Sequence, residues 1–457
     1  MKSHFLGSVA VSFATSLLSG LIGCASRPAA EHPANIDTCV PGASNNSSAA
    51  FAKKEFSVMK EPVGVLILRD ALSLTLQENP ELAPFSWQER IDEARVLQAG
   101  LRQNPELGLE VEDVFGTGNF RGAREMQTTL QLSQVIELGG KRSARTDAAT
   151  QARGVTKSDY ELKRVEVLGD VAQRFIQVVA DQHALDLTLT NRDLAVETLR
   201  IVQERMKAGK GSALEERKAQ VALARGEVLV EGEKHKLRGS RKKLSISWRN
   251  PNPVFERAEA DLFALKPIPA FEELVNRISK SPQLARFISE KKLREAEIKL
   301  ADARRIPDIT VGGGVRRLNG PDDHALVFSI SAPLQLFDQN QGRRAEARAL
   351  LGKTEAEQKA AEIRVGVVLA GLYEEMARDI HVLEGLQKQI LPKAEDALAI
   401  AKDGYTQGRF SYLEVLDAQR TLFDIKQESI QTATSYHQFL VEMERLIGQP
   451  IDEKAQP

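Results

Sequence analysis

Glu414 and Asp417 are the residues whose type and spacing most invite a chemical reading. They lie three positions apart, just after Gly408, so both carboxylates share one face if the segment is helical. Acidic groups also suit the positive end of a helix, and spacing alone favours a solvated helix start. Other chemistry is sparse. The histidines, among them His32, His183, His235, His324, His381 and His437, show no paired i, i+4 spacing. With Cys24 and Cys39 they form no recognisable metal cluster. No nucleophile–base pair or phosphate loop stands out, which argues against an enzyme. The formal net charge is −1 with 27% charged residues, so nothing points to nucleic acid.

The elements that position the acid pair are long helices. Gly408 interrupts a helical pattern that runs back to about 340 and forward to about 446, because glycine accepts the backbone angles of a turn cheaply. The same phrase occurs about 200 residues earlier, a period far longer than that of solenoids. Gly209, Ser212 and Leu214 answer Gly408, Ser411 and Leu413. Residues 70–104 likewise resemble 271–306, so a fold with internal two-fold pseudosymmetry is expected. The first repeat is assigned to 61–250, a proline-rich linker to 251–270, the second repeat to 271–448 and a tail to 449–457. Helices are expected at 81–103, 142–207 and 213–248, and again at 283–305, 341–405 and 412–446. Pro392 falls inside one of them and predicts a bend, since proline removes a backbone donor.

The period changes to two at 106–112 and 126–136, and again at 309–315 and 326–332. These segments predict two hairpins, 106–136 and 308–337, at equivalent places in the repeat, with strands of about 10 to 12 residues. A soluble hairpin resting on a core would show the same alternation. If the strands instead cross a bilayer, open edges forbid a barrel from one chain, and several copies must share it. The apolar set then faces lipid, and Glu106, Glu110, Glu112, Thr129, Gln131 and Ser329 face water.

At the front, a basic start and a short apolar run end in Leu21-Ile22-Gly23-Cys24. This resembles a bacterial lipobox. It implies a signal peptide over 1–23, lipidation of Cys24, sorting to the outer membrane, and a tether over 24–60. Cys39 is then expected to be a free thiol.

Taken together the chain resembles an outer-membrane factor of the TolC superfamily over about 60–450. The doubled unit carries the resemblance, with Ala332-Pro333-Leu334-Gln335-Leu336-Phe337-Asp338-Gln339-Asn340-Gln341-Gly342 and Tyr412-Leu413-Glu414-Val415-Leu416-Asp417-Ala418-Gln419. Ser133-Gln134-Val135-Ile136-Glu137-Leu138-Gly139-Gly140-Lys141-Arg142 is similar to the heavy-metal, CzcC-like branch, although Val135 stands where proline is frequent. The resemblance implies a mainly α fold with a small β part, a homotrimer sharing a 12-stranded barrel, and a helical tunnel across the periplasm. It implies an outer-membrane channel for an RND efflux system, working with a periplasmic adaptor (membrane fusion protein) and an inner-membrane pump, without a cofactor. Cobalt, zinc and cadmium are the implied cargo. Glu414 and Asp417 then narrow the tunnel entrance. Gly209, Ser212, Leu214, Gly408, Ser411 and Leu413 then receive the adaptor. The rival readings are a channel for organic drugs or type I secretion and, in another class, a periplasmic coiled-coil scaffold lipoprotein.

Overall fold

The computed structural model describes residues 60–279 and 281–451. The signal peptide, Cys24, Cys39, the tether up to residue 59 and residues 452–457 of the tail lie outside the described residues. The two repeats have one element order, save that the outward helix of the second is divided into α7 and α8. The first runs α1 (Leu68–Glu78), α2 (Ala83–Gly100), β2 (Glu106–Glu112), β3 (Gln127–Ile136), α3 (Lys141–Lys207) and α4 (Ala213–Ser245). The second runs α5 (Phe271–Ile278), α6 (Pro282–Ala303), β5 (Ile309–Leu318), β6 (Asp323–Ser331), α7 (Gln341–Gly385), α8 (Leu391–Thr406) and α9 (Tyr412–Ile447).

The 67 residues of α3, at 1.5 Å per residue, give a rod about 100 Å long. Such a rod buries a stripe, here including Val171, Phe175, Val178 and Val202. Each large side chain fully removed from water contributes about 1.5–3 kcal/mol. Nearer the sheet the helices lie side by side in the order α2, α3, α6, α7; toward the far tip the order is α4, α3, α9, α8. Thus α4 prolongs the column of α2, and α9 that of α6. The described chain is one layer with α2 and α4 along one edge and α7 and α8 along the other.

At mid-height the inter-repeat linker wraps the layer. Its short strand β4 (Arg257–Ala258) pairs in parallel with β1 (Val65–Leu66). Glu61 accepts hydrogen bonds from Trp248 Nε1, Asn250 Nδ2 and the backbone N–H groups of Val254 and Phe255. Gln182 holds both polar groups of the Ala258 backbone, each at 2.8 Å. His437 contacts the Leu262 carbonyl at 3.0 Å, and the His183 ring meets Phe263 edge-on. Burial lowers the pKa of both imidazoles.

The four long strands form one antiparallel sheet in the order β2-β3-β5-β6, so the repeats join through β3 and β5. Register puts Leu107 opposite Leu132, Leu132 opposite Gly313, and Gly313 opposite Phe328, all on one face. That face is open: Leu107 is 72%, Phe328 81% and Ile330 80% exposed. The other face is polar. There Arg316 donates to Thr129 and Gln127 and pairs with Glu112. Gln131 reaches Ser329 across Gly312, where a Cβ would occupy the same space.

One expectation needs correction and another gains detail. β2 has only seven residues, shorter than the 10 to 12 expected. It stops at Glu112 because Asp113 and Phe115 take positive φ, 58° and 60°, and turn the chain. The second outward helix is also not uniform. A π turn at Leu386–Ile390 immediately precedes Pro392, which therefore sits in the first turn of α8. Widening the helix moves the carbonyl that the ring would meet, so the cost of the proline is absorbed locally.

Candidate functional site

The tip of the helical layer carries both turns that the sequence singles out. In the first, α3 ends on Gly209 at φ 70°, with Gly209 N–H donating to Met206 O at 3.0 Å and Lys210 N–H to Arg205 O at 2.9 Å. In the second, α8 ends on Gly408 at φ 79°, with Gly408 N–H donating to Tyr405 O at 3.0 Å and Arg409 N–H to Gly404 O at 2.7 Å. Both are Schellman ends, which need a residue tolerant of the left-handed region. Each following helix opens with a capping box: Ser212 with Glu215, and Ser411 with Glu414. The Glu414 carboxylate accepts the Ser411 N–H at 2.6 Å.

The two turns are stapled together. Arg205, from the last turn of α3, donates to the carbonyls of Tyr405, Thr406 and Lys210, and its guanidinium lies 4.5 Å from the centre of the Tyr405 ring. The Tyr405 hydroxyl donates to Glu215 at 3.2 Å. Burial, reinforced by the Glu215 carboxylate, pushes the Tyr405 pKa up to about 12. Beneath the staple Val202, Ala219, Ala401, Tyr405, Tyr412 and Val415 form a small core. Gln419 donates to Thr198 at 2.7 Å and Lys402 pairs with Glu197 at 2.9 Å, so side-chain contacts tie the two hairpins together below the turns.

Glu414 and Asp417 are exposed on α9 and border a shallow hollow with Phe410, Ala397 and Ile400. Leu214 and Leu413 are also exposed. Leu413 lies in a groove of about 620 Å³ between α4 and α9, floored by α3 at Asn191 and Ala195. Its walls are apolar at Val221, Leu416 and Phe423 and basic at Arg217, Lys218 and Arg420. Leu214 does not line that groove. Cys24 lies outside the described residues.

Sequence reasoning passed over Arg205, Gly404 and Phe410. The repeat held the signal. Arg205 aligns with Gly404 and Gly211 with Phe410, so the turns swap a large and a small residue at both positions. The Ser133–Arg142 stretch turns out to be the joint between sheet and helix. Arg145 pairs with Glu137 at 2.6 Å, Lys141 with Asp308 at 2.7 Å, and Gly139, at φ 68°, packs on Ile306. Among the described residues no group of three or more His, Cys, Asp or Glu side chains could hold a metal ion. No described helix is long and apolar enough to cross a membrane, which leaves the sheet untouched by that test.

Comparison with known proteins agrees with this architecture. The family model described as outer membrane efflux protein matches residues 71–233 and 275–449, and the chain belongs to that family. The chain is 31% identical to the cobalt-zinc-cadmium resistance protein CzcC of Cupriavidus metallidurans over 85% of its length and 91% of that protein's. It is 24% identical to the pyoverdine export outer membrane protein OpmQ of Pseudomonas aeruginosa, over 70% of this chain and 69% of that one. Among solved structures the outer-membrane channel OprN superposes with a TM-score of 0.70 at 16% identity, covering 84% of this chain and 90% of that one.

Proposed function

We propose that this member of the outer membrane efflux protein family works as a trimer, the exit conduit of a pump assembly that expels heavy-metal cations. The observation that carries the reading is the two-faced sheet. Its apolar face is exposed, its polar face holds Arg316, Glu112 and Gln131, and its outer strands β2 and β6 have no neighbour among the described residues. Unpaired edges are not tolerated in hydrocarbon, so the sheet must close on copies of itself. Three copies of the four strands make a barrel of twelve, within the range that membranes hold.

The cargo reading rests on the likeness to the cobalt-zinc-cadmium resistance protein, stronger and longer than that to the pyoverdine exporter. A conduit holds no resident metal. It needs only a passage whose charge does not repel cations. Glu414 and Asp417 supply that charge at the tip, one pair from each copy, where like charges around a narrow opening attract cations and resist crowding. The adaptor docks on Gly209, Ser212, Leu214, Gly408, Ser411 and Leu413, and the groove between α4 and α9 suits an amphipathic helix with acidic flanks. Lipid on Cys24 fastens the chain to the outer membrane.

Deleting the gene is expected to sensitise its host to cobalt, zinc or cadmium, and the intact gene to restore tolerance. Sensitisation to organic compounds such as dyes alone would transfer the cargo to the organic class. For the gate, the double variant Glu414→Gln, Asp417→Asn is expected to raise single-channel conductance in planar bilayers. Glutamine keeps the capping hydrogen bond that alanine would delete. Unchanged conductance and unchanged cation preference would remove both residues from the constriction.

A further inference from the structure

Just below the sheet, two exposed apolar patches sit on opposite edges of the layer. One follows β6: Leu334 is 83%, Leu336 71% and Phe337 91% exposed. The other precedes β2: Leu97 is 69% and Leu101 49% exposed. Both are held in place by their backbones. Gln341 Nε2 donates to Phe337 O at 3.0 Å, and Asn340 Nδ2 to Ala301 O at 2.7 Å. Arg145 donates to Ala99 O at 2.9 Å and to Leu101 O at 3.1 Å. Large apolar side chains presented on a fixed backbone mark a surface made to be covered.

Strand direction says what covers them. The strands alternate through the sheet, so β2 and β6 run in opposite directions. Joining β6 of one copy to β2 of the next is therefore antiparallel. It leaves Ser331, the last residue of β6, and Glu106, the first residue of the neighbour's β2, both at the helix end of the shared sheet. The chain beyond each strand end then runs alongside the other. Residues 334–337 and residues 97–101 of the second copy then both leave the sheet on its helix side along the same seam, with apolar side chains on both.

Resting on the trimeric reading above, the geometry points to an apolar collar between copies, in which Leu334, Leu336 and Phe337 of one chain seat on Leu97 and Leu101 of the next. The collar seals the seam where strand pairing stops and helix packing begins. It covers the level at which neither backbone ladder nor coiled-coil stripe is available.

The test uses the full-length protein in its own membranes, with Cys39 replaced by serine. Single cysteines at 334, 336 or 337 are combined with single cysteines at 97 or 101, and a short bifunctional thiol reagent is added. Covalent dimers and trimers are expected from at least one double variant and from none of the single ones. Native mass spectrometry of the parent protein in detergent reads the assembly independently. A trimer there, with no crosslinked pair among the six combinations, overturns the collar and leaves the assembly standing. Monomer there overturns both. A lipid-soluble thiol reagent that labels position 337 in intact trimers would show that the patch faces lipid and would also overturn the collar. Phe337→Glu is expected to lower the temperature at which trimers fall apart in detergent, while Phe337→Leu leaves it close to that of the parent.

Discussion

At the first tip turn, Arg205 stands four residues before the glycine and Gly211 two residues after it; at the second, Gly404 stands before and Phe410 after. The backbones follow one plan, yet the side chains fill space in opposite directions. Phe410 folds back over Gly404, leaving no room there for a Cβ. Arg205 reaches away from its own helix and holds the carbonyl end of α8. One turn clamps and the other is clamped. Duplication supplied two equal hairpins, and divergence at two positions made them a coupled pair with a direction.

That asymmetry can be broken most severely by importing the first turn's residue into the second. Gly404→Arg is expected to cost about 1–3 kcal/mol by overpacking against Phe410. The reading is faster amide exchange across residues 404–410, with residues 205–211 little changed. Exchange that rises equally in both turns would deny the difference. Next in size, Arg205→Ala removes charged hydrogen bonds to carbonyls and the stacking on Tyr405, worth about 1.5 kcal/mol for a half-exposed group. It is expected to loosen the end of α8 more than the end of α3. Arg205→Lys should not rescue it, because an ammonium cannot serve three carbonyls and a ring face together.

Where the plan is shared, the costs should match. Ser212→Ala and Ser411→Ala are each expected to cost about 1 kcal/mol of local stability, measured by exchange at the first turns of α4 and α9. The smallest effect separates the turns by pH. Tyr405 has its pKa raised to about 12 from the usual 10.0, so the fold favours the neutral phenol. That contribution is complete below about pH 10 and is lost as the pH climbs toward 12. The residue matching Tyr405 in the first turn is Met206, which does not titrate. Alkaline loosening is therefore expected at the second turn first, and Tyr405→Phe should reduce it, leaving the part due to Tyr412, whose pKa burial also raises. Loosening unchanged by the phenylalanine would remove Tyr405 as its cause.

Much of the fold was legible because its rules are local. A period of two at Leu107, Leu109 and Val111 dictates a strand whatever its neighbours, and β2 begins and ends within that pattern. Gly209 and Gly408 mark the two turns because left-handed backbone is costly for other residues. The limits of legibility have equally physical causes. Pro392 announced a disturbance but not its form, since the π turn that precedes it depends on how the whole helix packs. At the tip, Glu414 was legible as an acid near a turn. Its capping of Ser411 follows the Ser-x-x-Glu spacing of a capping box, a signal present in the sequence that the acid-pair reading passed over.

By itself the sequence determined the repeat, the element order, the two faces of each strand and the position of both turns, because periodicity and glycine act over a few residues. Only the tertiary structure decided that Arg205 belongs to the end of α8 and that residues 334–337 and 97–101 stand exposed on opposite edges of the layer. Those relations concern residues far apart in the chain and exist only once the elements are packed. Distance along the chain does not encode distance through it.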